Sequence, residues 1–152
     1  MTIRFANENE LEKWIIIAKD VAEIFGHPTM DTDPEFLDYA KRKIKQNEAL
    51  IAVDELNNEF YGIIGFSRNY NRITWFGVLE KYRNKGIGSQ LLEKALNELD
   101  KTKEITVETY RENYIPGHSA RNIYKKYGFK ELETNLFDNF GNERSKFVIG
   151  LK

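Results

Sequence analysis

The chain has 152 residues, of which 41% are hydrophobic and 31% are charged. These fractions are typical of a soluble globular protein and unlike those of a disordered or fibrous chain. The length suits one domain with a sizeable core, so we predict a single domain over residues 1–152. The formal net charge of −1 argues against a dedicated nucleic-acid binder, because such proteins carry a basic face.

The absence of cysteine excludes disulfides, cysteine nucleophiles and metal sites built on cysteine. It also makes the cytoplasm the expected location, and we expect no bound metal. The N-terminal residues lack the apolar run of a signal peptide. The longest aliphatic run, Ile15–Ile17, is far too short to cross a bilayer, so we expect no membrane partner.

Two periodicities divide the chain into helices and strands. Apolar residues that recur every three or four positions indicate helices, and short apolar runs bounded by polar turns indicate strands. Asp33 followed by Pro34 is a favourable helix start. The predicted elements in chain order are a strand at 2–6, helices at 9–25 and 33–47, strands at 49–53, 60–66 and 73–78, a helix at 86–99, a strand at 105–109, a helix at 120–127, and strands at 129–137 and 143–151.

The central strands predict the fold class. The runs at 49–53, 60–66 and 73–78 are apolar on both faces, so we expect them inside a sheet that helices cover. One mixed, mostly antiparallel sheet of about seven strands with helices on both faces accommodates the order of elements. The predicted class is α+β with three layers, α/β/α.

A short basic loop joins an apolar strand to the helix at 86–99. It holds three cations, Lys81, Arg83 and Lys85, and is followed by Gly86 and Gly88. The start of a helix has unpaired N–H groups and the positive end of the helix dipole. Glycine lets an anion approach the backbone, and the cations add charge-assisted hydrogen bonds. We interpret this stretch as a site for phosphate or pyrophosphate.

Two common phosphate-binding patterns do not fit the loop. The Walker A pattern is absent, and the dinucleotide fingerprint G-x-G-x-x-G fails because Leu91 occupies the position of the third glycine. The remaining pattern is R-x-x-G-x-G, formed by Arg83, Gly86 and Gly88. A tight strand-to-helix turn without a ligand is the alternative interpretation, and the basic cluster disfavours it.

This pattern resembles the cofactor motif of the GNAT superfamily of acetyl-CoA-dependent N-acetyltransferases. The segment from Ala120 to Phe129 is similar to the second motif of that family, A-x-x-x-Y-x-x-x-G-F, and the order of elements is similar to the family fold. The resemblance implies acetyl-CoA as cosubstrate and direct transfer of the acetyl group to a primary amine, on a small molecule or a peptide. A homodimer is common in such folds. The competing hypothesis is a domain that binds acyl-CoA as a sensor without turnover.

The resemblance also implies roles for individual residues. Backbone amides from Arg83 to Ser89 would hold the pyrophosphate, and Val78 with Leu79 would pair with the pantetheine arm as an added strand would. Tyr124 would protonate the departing thiolate, since the reference pKa of a phenol, about 10, lies above the value of about 8.5 for a thiol; a core aromatic is the alternative. The implied cofactor-binding residues are Val78, Leu79, Arg83, Asn84, Lys85, Gly86, Ile87, Gly88, Ser89 and Asn113.

Several positions depart from the family pattern. Glu80 and Asn84 replace its usual proline and glycine, and the long loop around Asn113 leaves the contact of that residue with the cofactor open. The strand at 73–78 carries no glutamate, although many members have a general base there. Glu108 is the candidate base, acting directly or through water, with a structural salt bridge as the alternative.

Other polar and aromatic residues have less specific readings. The two histidines, His27 and His118, are interpreted as capping or surface residues, with acid–base work as the alternative for His118, which lies close to the helix of the second motif. A group of aromatic residues is expected either in the core or along the acceptor pocket. Its members are Tyr70, Trp75, Phe76, Tyr110 and Tyr114.

Overall fold

The computed structural model describes residues 1–150, and its elements follow the predicted order. They are β1 (Thr2–Phe5), α1 (Leu11–Val21), α2 (Pro34–Lys45), β2 (Ala49–Asp54), β3 (Glu59–Ser67), β4 (Arg72–Val78), α3 (Ile87–Asn97), β5 (Ile105–Tyr110), α4 (His118–Lys126), β6 (Lys130–Phe137) and β7 (Glu143–Ile149). Leu151, the last residue of the predicted final strand, lies outside the described residues. No helix within residues 1–150 combines the length and the apolar character needed to span a membrane.

The seven strands form one sheet in the order β1-β2-β3-β4-β5-β7-β6. The pair β4–β5 is parallel, and the other neighbouring pairs are antiparallel. Hydrophobic clusters lie on both faces, one packed with α1 and α2 and the other with α3 and α4. This arrangement confirms the predicted α+β class with a mixed, mostly antiparallel sheet between two layers of helices.

Strand β2 shows why the apolar runs belong inside the sheet. Ile51 and Val53 belong to the cluster beneath α1 and α2, whereas Leu50 and Ala52 belong to the cluster beneath α3. Alternate side chains of a strand point to opposite faces, so each face of β2 must be apolar.

Strands β4 and β5 diverge soon after they meet. Only two residue pairs join them, Arg72 with Thr106 and Ile73 with Val107. A bulge at this point leaves Thr74 without a partner on β3, because Trp75 pairs with Gly65 while Ile73 pairs with Phe66. A bulge bends a strand and increases its twist. The result is a cleft between the ends of the two strands.

Candidate functional site

A cavity of about 590 Å³, here called the donor groove, lies between the end of β4, the start of α3, one side of α4, and the end of α1 with the residues that follow it. It brings together most residues predicted to bind the cofactor. The predicted residues that line it are Val78, Arg83, Asn84, Gly86, Ile87, Gly88 and Ser89.

The start of α3 leaves main-chain N–H groups available to a ligand. Gly86 caps the helix at φ 81°, with no side chain bonded to the first turn and no acidic residue in it. The N–H of Gln90 donates to the carbonyl of Gly86 at 3.1 Å. The amides of the residues between them, 87–89, therefore precede the helical hydrogen-bond ladder. Such amides form an anion site when positive charge is also near.

The glycines of this turn serve different needs. A Cβ on Gly86 would meet no atom within 4 Å, so its positive φ explains the glycine. A Cβ on Gly88 would lie 3.2 Å from both Ile123 and Phe76, so close packing of α3 against β4 and α4 explains that glycine. Asn84 also has a positive φ, 63°. Asparagine tolerates this conformation better than most residues, which explains how it can replace glycine.

Three predicted cofactor residues do not lie in the donor groove. Leu79 is buried in the core beneath α1, and its N–H donates to the carbonyl of Tyr61 at 2.8 Å. Lys85 and Asn113 are exposed and line no part of the groove. Three polar residues that the sequence interpretation missed line it from α4; they are Ser119, Asn122 and Lys126. Their spacings of three and four residues, which place them on one helix face, are the signal that was available.

The main chain of β4 has an open edge along the groove. Successive residues of a strand direct their N–H and C=O groups to opposite sides. Because the N–H of Leu79 bonds to β3, the corresponding groups of Val78 face the cleft between β4 and β5. Arg83 Nε donates to the Val78 carbonyl at 3.1 Å. The Val78 carbonyl is therefore already bonded, and its N–H is the group at this edge that can pair with a ligand carrying amide groups.

A second cavity, of about 320 Å³, lies at the divergence of β4 and β5. Its walls come from the segment between α1 and α2, from β4 and β5, from α4, and from the hairpin β6–β7. It shares four residues with the donor groove, which are Phe25, Phe76, Tyr110 and Ala120. The two cavities therefore meet at these four residues.

Tyr124 lies in the wall of the second cavity and is 3% exposed. Its ring is 6.0 Å from Phe76, 5.5 Å from Phe129 and 6.3 Å from Phe147, between ring centroids. Burial, with the neighbouring Tyr110, raises the pKa of the Tyr124 phenol well above its usual value. The hydroxyl is consequently protonated at neutral pH.

Glu108 also lines the second cavity, and its side chain is exposed. Side chains on β5 alternate in burial, and Glu108 lies on the more exposed side while Val107 is buried. No ion pair joins Glu108 to another residue within 1–150. Its position in a central strand suggested a buried, unpaired carboxylate, which would be costly. Because the side chain is exposed, this cost does not arise.

His27 lines the second cavity as well, although the sequence interpretation treated it as a capping or surface residue. Its Nε2 lies 2.7 Å from Asp33 Oδ2, and its ring stacks on Phe140 with 3.9 Å between centroids. The other oxygen of Asp33 accepts from the N–H of Glu35 at the start of α2. The hydrogen bond from His27 is the main cause that lowers the pKa of Asp33.

The segment before His27 is attached to the opposite half of the sheet. The carbonyls of three consecutive residues, 24–26, each accept a hydrogen bond from a residue far along the chain. The pairs are Tyr114 with Ile24 at 3.0 Å, Arg144 with Phe25, and Asn142 with Gly26 at 2.9 Å. We call these three contacts the bridge. It holds in place a segment that serves both cavities: Ile24 and Phe25 line the donor groove, and Phe25 and the following His27 line the second cavity.

Three of the five aromatic residues considered for the acceptor pocket, Trp75, Phe76 and Tyr110, line the second cavity. Tyr114 stacks on Tyr110 with centroids 5.5 Å apart and belongs to the bridge. Tyr70 is 68% exposed and lies outside this cavity. Among residues 1–150, no group of three or more acidic or histidine side chains is arranged to hold a metal ion.

Comparisons with known proteins agree with this geometry. Residues 17–141 match the family model of the acetyltransferase (GNAT) domain. An N-alpha-acetyltransferase from Sulfurisphaera tokodaii is 34% identical over 59% of this chain, and the match spans 62% of the length of that protein.

Solved structures share the fold. An acetyltransferase of the GNAT family from Bacillus cereus has a TM-score of 0.74 at 19% identity, covering 99% of this chain and 98% of that chain. The structure of yncA from Salmonella typhimurium with its cofactor acetyl-CoA has a TM-score of 0.73 at 14% identity, covering 100% of this chain and 94% of that one. The family model spans well over half of the sequence and confirms the resemblance drawn from the two motifs: the chain belongs to the GNAT family of acetyltransferases.

Proposed function

We propose that the chain is an N-acetyltransferase that moves an acetyl group from acetyl-CoA to the α-amino group of a peptide or protein. The observation that carries the proposal is the junction of the donor groove with the second cavity at Phe25, Phe76, Tyr110 and Ala120. A thioester in the groove and an amine in the second cavity would meet there. Family membership supports acetyl transfer, and the relative from Sulfurisphaera tokodaii supports an α-amine as acceptor.

The residues of the donor groove fit coenzyme A. The amides at 87–89, together with Arg83 and Lys126, suit its phosphates. The open edge at Val78 suits the amide groups of the pantetheine arm. When bound, acetyl-CoA supplies the activated acetyl group.

The proposed reaction is direct and needs no nucleophile from the protein. The lone pair of the deprotonated amine forms a bond to the acetyl carbon, and the bond from carbon to sulfur breaks. One proton leaves the nitrogen, and one proton reaches the sulfur. We assign Tyr124 as the donor to sulfur, because its raised pKa keeps the phenol protonated. A main-chain N–H of β4 near Val78 is assigned to the oxyanion.

Glu108 and His27 are the two proposed acceptors of the proton from the amine, directly or through water. Both line the second cavity. A carboxylate only accepts hydrogen bonds, so His27 Nε2 donates to Asp33 and leaves Nδ1 able to take a proton. Asp138, a further carboxylate of this cavity, is instead paired with Arg144 at 2.9 Å.

The test combines the purified chain, acetyl-CoA and a peptide with a free N-terminus. We expect release of free thiol that depends on the peptide, and mass spectrometry should locate the acetyl group on the N-terminal residue. A matched peptide with a blocked N-terminus and an internal lysine reports on acetylation of side chains. Acetyl-CoA should also raise the melting temperature by mass action.

Two results would contradict the proposal. Stabilisation by acetyl-CoA without transfer to any acceptor would favour the sensor that binds acyl-CoA without turnover. Absence of stabilisation at millimolar acetyl-CoA would contradict both the enzyme and the sensor.

A further inference from the structure

A third cavity, of about 590 Å³, lies between α2, the turn from β3 to β4, and β5. The proposed reaction does not use it. Ile73, Thr74 and Glu108 line both this cavity and the second cavity. The two cavities therefore adjoin, and an extended acceptor that leaves the second cavity towards the start of β4 enters the third.

One carboxylate of the third cavity is already neutralised within the protein. Glu48 Oε1 accepts from Lys43 Nζ at 3.0 Å, and its Oε2 accepts from the N–H of Arg68 at 2.6 Å. Lys43 and Glu48 are both buried. A ligand in this cavity therefore meets a satisfied ion pair at this wall, with its charges compensated.

Two arginines of the same cavity have no such partner. Within residues 1–150, neither Arg42 nor Arg72 forms a salt bridge. The guanidinium of Arg42 lies 5.8 Å from the ring centroid of Tyr39, and that of Arg72 lies 5.1 Å from that of Tyr70. Contact with an aromatic face orients a guanidinium and leaves N–H groups free to bind a carboxylate in a bidentate manner.

The unpaired charges follow an order along the sheet. Glu108 stands at the boundary with the second cavity, where it attracts an arriving cationic amine, and the two arginines lie in the third cavity. A strand rises about 3.3 Å per residue, so the distance along β4 from Phe76 to Arg72 is about 13 Å. About four residues of an extended peptide cover this distance.

We propose that the third cavity binds a carboxylate of the acceptor, on an acidic side chain at the third to fifth residue of the acetylated peptide. This inference rests on the proposed function, since it requires the N-terminal amine of a peptide in the second cavity. The acidic side chain pairs with Arg72 and Arg42, and the enzyme thereby prefers acidic over basic N-terminal segments.

Matched peptides test the proposed carboxylate site in the third cavity, here called the subsite. Each carries a single Asp or a single Lys at one of positions two to six, in an otherwise uncharged sequence. We expect kcat/KM for Asp to exceed that for Lys by about 5-fold at one of positions three to five, the size of a favourable exposed ion pair. Arg72→Glu should reverse this preference. Lys45→Glu makes the same charge change on α2, outside the cavity, and this variant should keep the preference for Asp.

The outcomes separate the subsite from the reaction. Acetylation of Asp and Lys peptides at equal rates at every position would overturn the subsite and leave the proposed function standing. Equal loss of the preference in Lys45→Glu would assign it to net charge and would also overturn the subsite. A chain that binds acetyl-CoA and acetylates no peptide would overturn the proposed function itself.

Discussion

The donor groove and the second cavity are built in different ways. The groove takes eight of its lining residues from one continuous stretch, 78–89, which holds the turn and the helix start, and five more from α4. The second cavity collects residues from five parts of the chain, held together by hydrogen bonds such as that between Asn142 and Gly26, 116 residues apart.

This difference matches the proposed roles of the two sites. A phosphate group can be held by local geometry, since a helix start and its preceding turn supply the amides. An acceptor needs walls of particular shape and charge, which only distant segments can provide. We therefore expect substitutions to affect the donor or the acceptor separately, except at their junction.

The largest effect is expected from Tyr124→Phe, in the wall of the second cavity beside the junction residue Phe76. Loss of the proton donor should lower kcat by about 100-fold or more, the lower range for general acid catalysis, while the affinity for acetyl-CoA changes little. Tyr61→Phe removes a hydroxyl from β3, outside both cavities, and is the control. Unchanged kcat in Tyr124→Phe would show that this tyrosine is a core aromatic residue and not the proton donor.

A change confined to the donor side is expected from Ser89→Glu. A carboxylate in the first turn of α3 interacts favourably with the helix dipole, so the ligand-free variant should be as stable as the wild type. Because the same carboxylate repels phosphate, the affinity for acetyl-CoA should fall about 10-fold or more. Isothermal titration and thermal melting measure the two effects. Gln90→Glu, one residue further and outside the groove, is the control. Undiminished affinity in Ser89→Glu would refute the phosphate site.

Tyr124 should also make stability depend on alkaline pH. Burial raises the pKa of Tyr124 in the folded chain, so above pH 10 the unfolded state loses a proton that the folded state retains. The free energy of unfolding must then fall as pH rises, by up to about 1.4 kcal/mol per pH unit for this group. Urea unfolding between pH 8 and pH 11 should show a shallower fall in Tyr124→Phe, whereas Tyr70→Phe, at an exposed position, should match the wild type. Identical slopes would refute the raised pKa.

The smallest effect is expected from the bridge. Asn142→Ala removes the donor to Gly26, and Tyr114→Phe removes the donor to Ile24. Each should lower stability by about 1 kcal/mol, the usual worth of one hydrogen bond. Because Gly26 adjoins His27 in the wall of the second cavity, we expect Asn142→Ala to raise KM for the peptide about 3-fold, a change of the same order, while KM for acetyl-CoA stays constant. Tyr114→Phe loosens Ile24, which lines the donor groove, and should raise KM for acetyl-CoA as well.

Glu143→Ala, in the hairpin that carries Asn142 and outside the second cavity, is the control for Asn142→Ala. In Asn142→Ala, a rise in KM for acetyl-CoA that equals the rise for the peptide would show that the two sites do not respond separately.

The fold and the donor groove were largely predictable because their signals are local. Apolar periodicity indicated each helix and strand, and the pattern from Arg83 to Gly88 indicated the helix start. Local patterns could not indicate which of the neighbouring side chains face the groove. Lys85 belongs to the basic loop and yet lies outside the groove, whereas Lys126 reaches it from α4.

The second cavity could not be predicted from sequence in the same way. His27 and Phe140 follow no common motif and stack only because the fold brings two loops together. Glu108 was identified as a candidate base, but its exposure depends on which half of the sheet α1 and α2 cover. Single-residue patterns carry no information on such long-range contacts.

The most direct test is a crystal structure of the chain with a conjugate that joins coenzyme A to the N-terminus of a peptide. We predict phosphate oxygens on the amides at 87–89, the joining atoms near the Tyr124 hydroxyl, and the peptide in the second cavity beneath the bridge. Phosphates bound away from α3, or a peptide that leaves the donor groove without entering the second cavity, would contradict the account.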